Sequence, residues 1–196
     1  MSMGALHDVG RTLVLLGTDA RFWDVFSTMP EAMDQKPHPV DRYSQRVLPQ
    51  IAHITGAADI AYPFGGPPYA PFIAWAKATG EAFDSPTGML VHIRAGLMIS
   101  YRGALIFDGE QPLTKPTVVH PCTTCTGRPC EDACPVAALS TEHFYDVPVC
   151  KEYLGTHAGE TCMTQGCAVR RACPISQRFG RPAAQSAYHM RQFKGA

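Results

Sequence analysis

Cysteine is missing from the first 121 residues of this 196-residue chain, and a long apolar run is missing everywhere. No stretch approaches the ~20 apolar residues that a membrane-spanning helix needs. The opening "MSMGALHDVGRTLVLLGTDARFW" has no basic leading segment and only a short apolar run at 13–16, which argues against a signal peptide. A surplus of either charge is missing too: 17 Lys+Arg stand against 17 Asp+Glu. Residues 1–120 hold 9 basic and 11 acidic residues, and residues 121–196 hold 8 and 6. General nucleic-acid binding, which leans on phosphate neutralisation, is therefore not expected. With 45% hydrophobic and 17% charged residues, neither disorder nor a coiled coil is indicated. The expectation is a soluble, cytoplasmic protein with no membrane partner. In a reducing compartment its eight cysteines are expected to be metal ligands rather than four disulfides.

The shift in cysteine usage is the strongest internal boundary, and "DGEQPLTKPTVVHP" (108–121), with its three prolines, reads as a linker. We expect an α+β protein of two domains, 1–115 and 116–196. In the first, "TLVLLG" (12–17) suits a buried strand, and the segment after it a helix with Asp19 as N-cap. Residues 40–56 read as a second helix, bent or begun afresh at Pro49 and ended by Gly56. Residues 70–80 read as a short helix, with Pro71 in its first turn and Gly80 as its stop. "GMLVHI" and "LMISYRGALIF" read as two strands of a hairpin turning at Gly96. In the second domain, mostly loops and short helices, "EDACPVAAL" (131–139) is expected to be helical.

Four cysteines and a closing proline fill "PCTTCTGRPCEDACP": Cys122-x2-Cys125-x4-Cys130-x3-Cys134-Pro135. A looser group follows, with Cys150 and then Cys162-x4-Cys167-x5-Cys173-Pro174. A tight C-x2-C loop lets two thiolates reach neighbouring corners of a cubane, and bacterial ferredoxins close their cysteine run with Cys-Pro. Eight cysteines match the ligand count for two [4Fe–4S] clusters. Structural zinc is the competing reading, yet zinc ribbons favour paired C-x2-C knuckles and this chain has one such pair. One cluster with spare thiols, and disulfides, are the remaining alternatives.

"CTTCTGRPCEDACPVAAL", "VCKEYLGTH" and "CMTQGCAVRRACP", in that order, resemble the double-cluster region of the epoxyqueuosine reductase and reductive dehalogenase group. The resemblance covers about the last third of the chain, with wider spacings in the final three cysteines. It implies a ferredoxin-like module in which Cys122, Cys125, Cys130 and Cys173 hold one cluster and Cys134, Cys150, Cys162 and Cys167 hold the other. In that group the clusters feed electrons to a cobalamin in a nitroreductase-like α/β domain, which the first half here is too short to complete. "YPFGGPPYAPFIAW" (62–75) is similar, in addition, to cobalamin-trafficking proteins. Phe64, Gly65, Gly66, Tyr69 and Phe72 are accordingly the candidate corrinoid contacts, with core packing as the competing reading. The glycines allow close backbone approach and the aromatics suit the rim of a flat ring.

Among single residues, His120 reads as an exposed linker histidine able to reach a sulfur, and His92 as a core residue. Tyr101 and Arg102 are weak substrate-donor candidates. Arg128, Arg170 and Arg171 stand near cluster cysteines, where positive charge raises a reduction potential. The functional expectation is an iron–sulfur electron-transfer protein, fed by a redox protein donor and reducing a corrinoid held by its first domain. A ferredoxin-type carrier docking a protein partner is the alternative, and an epoxyqueuosine reductase-like oxidoreductase a more distant one.

Overall fold

The structure is a computed structural model, and it describes residues 2–114, 117–141 and 145–195. Its elements in chain order are β1 (Ser2–Asp8), β2 (Arg11–Gly17), α1 (Phe22–Phe26), α2 (Pro30–Met33), α3 (Pro39–Thr55), β3 (Asp59–Ala61), α4 (Phe72–Ala78), β4 (Ala82–Asp84), β5 (Leu90–His92) and β6 (Tyr101–Asp108). After these come α5 (Val147–Leu154), a 3-10 turn (His157–Gly159), α6 (Glu160–Gln165), α7 (Ala168–Ala172), α8 (Pro174–Phe179) and α9 (Ala183–Lys194). The mixture of small antiparallel sheets and helices is α+β. Among the described residues no helix is long and apolar enough to cross a membrane.

Two compact units divide the chain: Met1–Ala82 with Ser100–Val118, and Phe83–Ile99 with Val119–Ala196. The linker seen in the sequence contains the last crossing, at Val118. The segment Phe83–Ile99, expected in the first domain, belongs to the second unit.

In the first unit, β1-β2-β6-β3 form a four-stranded sheet whose pairings are all antiparallel. β1 and β2 are joined by a two-residue turn, Val9 and Gly10, both at positive φ, the geometry that matches strand twist in tight hairpins. The apolar run of β2 supplies the fully buried Leu13 and Leu15, and β6 supplies Ala104, Leu105 and Ile106. Helix α3 lays Val40, Ser44, Leu48 and Ala52 on one buried face, four residues apart and so on one side of a helix. Gly103 on β6 makes this packing possible. A Cβ there would stand 2.3 Å from Leu48 Cδ1, so a larger residue would force the Leu48 side chain out of its place between helix and sheet.

Helix α3 continues through Pro49 and does not begin afresh there. Pro49 and Gln45, whose carbonyl it leaves without a helix partner, are both exposed, so water can satisfy that group. The helix stops at Gly56, left-handed, whose N–H donates to the Ala52 carbonyl. Asp19 does not cap α1. Its Oδ1 accepts from the Arg21 N–H at 3.0 Å in the turn before the helix.

Two further expectations are corrected in the second unit. The hairpin through Gly96 has the expected turn, with His92 and Gly96 exchanging backbone hydrogen bonds, but its strands part company. β5 pairs with β4, while residues 101–108 leave as β6 for the first unit's sheet. Residues 131–139 are not helical. Pro135 biases Cys134 away from helical backbone, and Ala137 is left-handed at φ 49.

Candidate metal centre

The second unit buries cysteine where the first buries leucine. Cys130 and Cys173 belong to a core with Val91, Leu97, Leu139 and Val169, and Cys122, Cys134 and Cys167 pack against it. Five of the eight cysteines are placed by local devices. His120 Nδ1 accepts from the Cys122 N–H at 3.1 Å and its Nε2 meets the Asp84 carbonyl at 3.1 Å, while its ring packs on Phe83. The linker histidine thus anchors the start of the first cysteine loop through backbone, not through a sulfur. Cys150 lies in α5, whose N-cap Asp146 accepts from the Val149 N–H. Cys162 is buried in α6, and Cys167 caps α7. Cys173 caps α8, with Pro174 at the first helical position, where its missing N–H has no bond to lose. Two glycines permit close approaches here. A Cβ on Gly96 would lie 2.5 Å from the Ser176 nitrogen, and one on Gly166 would lie 2.6 Å from Ser186 Cβ.

The thiols sort into two sets by which of them feel one another. Burial, then Cys173, Cys122 and Cys125, pushes the Cys130 thiol up to about 11. Burial, then Cys173 and Cys125, raises Cys122. Burial and then Cys167, with smaller contributions from Cys134 and Cys162, raises Cys150, against a hydrogen bond from Tyr145 that lowers it. Cys162 is raised by burial, with Cys167 and Cys134 adding to it and a hydrogen bond from the Ala168 N–H opposing it. One set is Cys122, Cys125, Cys130 and Cys173; the other is Cys134, Cys150, Cys162 and Cys167. The last cysteine of each Cys-Pro run thus sits with the other run.

A cavity of about 430 Å³ opens against the first set and is lined by all four of its cysteines, with Ser85, Pro86, Val91 and Leu97 from the segment that joins this unit from upstream. Arg128 and Arg178, both exposed, stand in its wall. Among the described residues, no three of His, Cys, Asp or Glu are gathered tightly enough to hold a single metal ion. Four thiolates on one zinc would stand roughly 3.8 Å apart, given Zn–S bonds near 2.3 Å in a tetrahedron. A cubane places each ligand on its own iron and asks for a wider ring of sulfurs around a cavity. An all-sulfur donor set around a cavity of this kind fits a cubane.

The corrinoid candidates are spread differently. Phe72 is buried against Trp75 and Tyr101, Phe64 lies under the Arg102 guanidinium, and Tyr69 is 65% exposed. Gly65 is left-handed at φ 85, and a Cβ on Gly66 would meet the Pro68 carbonyl oxygen at 2.7 Å and the Tyr69 ring at 2.8 Å. Both glycines therefore serve the loop's own path. Arg102 also pairs with Asp41 at 3.0 Å. His92, fully buried, accepts at Nδ1 from the Arg94 and Ala95 N–H groups and shapes the turn. Arg128 pairs with Glu131, and Arg171 Nε donates to the Gly166 carbonyl.

Sequence reasoning missed the segment 85–97 that lines the cavity, Tyr145 beside Cys150, and Arg178 and Arg181. One signal was available for the arginines: residues 161–196 contain six Lys+Arg and no Asp or Glu. Compared with known protein families, curated proteins and solved structures, the chain matches none.

Proposed function

We propose that this chain is an electron-transfer protein whose second unit holds two [4Fe–4S] clusters. The observation that carries the reading is the sorting of eight thiols into two sets of four, the first of them ringing a cavity. A bound cubane supplies one-electron chemistry at a potential set by charge, hydrogen bonds and exposure. The residues provide the rest. Cys122, Cys125, Cys130 and Cys173 hold the first group, and Cys134, Cys150, Cys162 and Cys167 the second. Val91, Leu97 and Ile175 wall the first site with apolar surface, and the exposed Thr124 and Thr126 leave it open where a redox partner can dock. The Ala168 N–H and the Tyr145 hydroxyl donate to sulfurs of the second set. Anaerobic reconstitution is expected to give about eight irons and eight acid-labile sulfides per chain, four of each per cubane. One zinc without sulfide overturns the proposal.

A second reading, reduction of a corrinoid held by the first unit, is favoured by one observation: Tyr69 and Ile73, within the 62–75 segment, expose apolar surface. Tyr69→Ala tests it, because an exposed side chain can be removed within about 0.5 kcal/mol of stability. Cobalamin binding by the wild type, lost in this variant, supports a reductase. Wild-type protein that ignores cobalamin leaves the carrier.

A further inference from the structure

The arginines of the C-terminal stretch have separate duties. Arg170 and Arg181 donate to the Leu97 and Met98 carbonyls and so hold the upstream segment in place, and Arg171 donates to the Gly166 carbonyl. All three are committed to backbone. Arg178 is not: it is exposed in the last turn of α8 and forms no ion pair among the described residues. Arg128 stands in the wall of the same cavity. Its side chain is 54% exposed, and its contact with Glu131 at 3.4 Å is one that an incoming carboxylate can replace, since exposed pairs contribute little. The turn here is closed by backbone, the Glu131 N–H donating to the Arg128 carbonyl, so the guanidinium is spare.

The cavity lies within the second unit, and its wall carries these two arginines and no carboxylate. The exposed residues at its mouth are otherwise small: Thr124 and Thr126 in the wall, with Gly127 next in the chain. Short side chains let another protein's surface come close to the sulfurs, and electrons tunnel efficiently only over short distances.

We propose that a redox protein with a carboxylate-rich docking face exchanges electrons with the cluster on Cys122, Cys125, Cys130 and Cys173 at this mouth, steered there by Arg128 and Arg178. This rests on the iron–sulfur reading above. One electron passes between the partner's redox centre and the cubane, one oxidised as the other is reduced, and no bond is made or broken. Encounters of this kind are small in area, so charge acts mainly on the association rate. Arginine also takes phosphate, but a chain with 17 cations against 17 anions lacks the surplus that nucleic acid needs.

The test uses the full chain loaded with iron and sulfide, and two carriers of opposite charge: flavodoxin, an acidic protein, and methyl viologen, a small cation. Electron exchange is followed by stopped flow in whichever direction the potentials favour. The flavodoxin rate of the wild type is expected to fall steeply as added salt shortens the screening length from about 30 to about 10 Å. Arg128→Gln/Arg178→Gln should be about tenfold slower with flavodoxin at low salt and no slower with methyl viologen. Arg191→Gln/Lys194→Gln removes the same charge from α9, outside the cavity wall, and should match the wild type with both carriers.

A flavodoxin rate indifferent to salt, or no exchange with flavodoxin by a chain that methyl viologen reaches, overturns the proposal. So does a cavity variant no slower than the α9 variant. Equal slowing with both carriers overturns it too, by assigning the arginines to the cluster's potential or to the fold. Single-stranded DNA bound by the wild type and released by the cavity variant assigns the mouth to phosphate instead. If the cavity variant loads no iron, Arg178→Gln is read in its place by the same criteria; failure of that variant as well assigns the arginines to the fold and overturns the proposal. A wild-type chain that binds no iron and sulfide fails at the earlier step and takes the iron–sulfur reading with it.

Discussion

The two units bury their cores by opposite means. In the first, backbone pairing does the organising: β2 and β6 run side by side, with Leu13, Leu15, Ala104 and Ile106 buried on one face of the sheet and Leu105 on the other, where Gly103 meets Leu48 of α3. In the second, regular structure is short and sulfur takes the place of branched carbon, with Cys130 and Cys173 among the buried core residues. A sheet with an apolar face can hold itself together through burial alone, at roughly 25 cal/mol per Å² removed from water. A core of thiols has less apolar surface to bury and gains its cross-links only when a ligand joins them. On the iron–sulfur proposal, the first unit has its cohesion in the chain and the second receives part of it from its clusters.

The largest effect should come from breaking a ligand set. Cys173→Ala removes a thiol that sits with Cys122, Cys125 and Cys130 although it is more than forty residues away from each of them in sequence. Reconstituted protein is expected to fall from about eight irons to about four, one cubane needing four thiolates. The surviving spectroscopic signal should be that of the set containing Cys162 and Cys167. Loss of that signal, with the Cys122 set kept, would reverse the pairing of the two runs.

Gly103→Ala tests the other side of the comparison. The added methyl meets Leu48 Cδ1, so the first unit should lose about 1–3 kcal/mol in chemical denaturation. Iron content should not change, because no cysteine lies in that unit. Loss of iron in this variant would show that the two cores are not separately organised.

A smaller effect is expected at His120. Replacement by Ala removes the acceptor for the Cys122 N–H and the packing on Phe83. We expect about 1 kcal/mol of lost stability in the second unit, the scale of one hydrogen bond. Saturated iron content should be unaltered, since His120 reaches no sulfur. A drop in iron at saturation would make it a ligand after all.

How far these features were legible follows the same divide. The apolar run of β2, the four-residue spacing of α3 and its Gly56 stop are local signals, and the structure has them. The cysteine spacings were local signals as well. What was hidden depends on partners far along the chain. β1, "SMGALHD", has glycine and polar residues and becomes a strand because β2 pairs with it. β3 is three residues long and owes its state to β6. Gly96 is the turn it looked like, but nothing nearby in sequence reveals that Ser176 packs on it, eighty residues later. The same distance concealed the cavity wall at Ser85–Leu97 and the arginines that grip its far end.

The smallest effect concerns protons. Without a metal, burial first and then Cys173 raise Cys130 from 9.0 to about 11, and Cys122, Cys150 and Cys162 are raised in the same direction. A group whose folded value lies above its unfolded one holds its proton more tightly in the fold. Its contribution is complete below about pH 9 and disappears as the pH rises through about 11. Iron-free protein kept reduced should thus lose its thiol-held stability in the second unit between those two values, against an opposing gain from Arg181, whose folded value burial lowers to about 9. Loaded protein has already given up those protons to its ligand bonds and should not show the loss. Thermal unfolding of both forms across this range checks it. Cys130→Ser should lose less stability than the wild type over this interval; an equal loss in both would mean that Cys130 does not hold its proton against the other thiols, and the grouping of the eight cysteines would fall with that result.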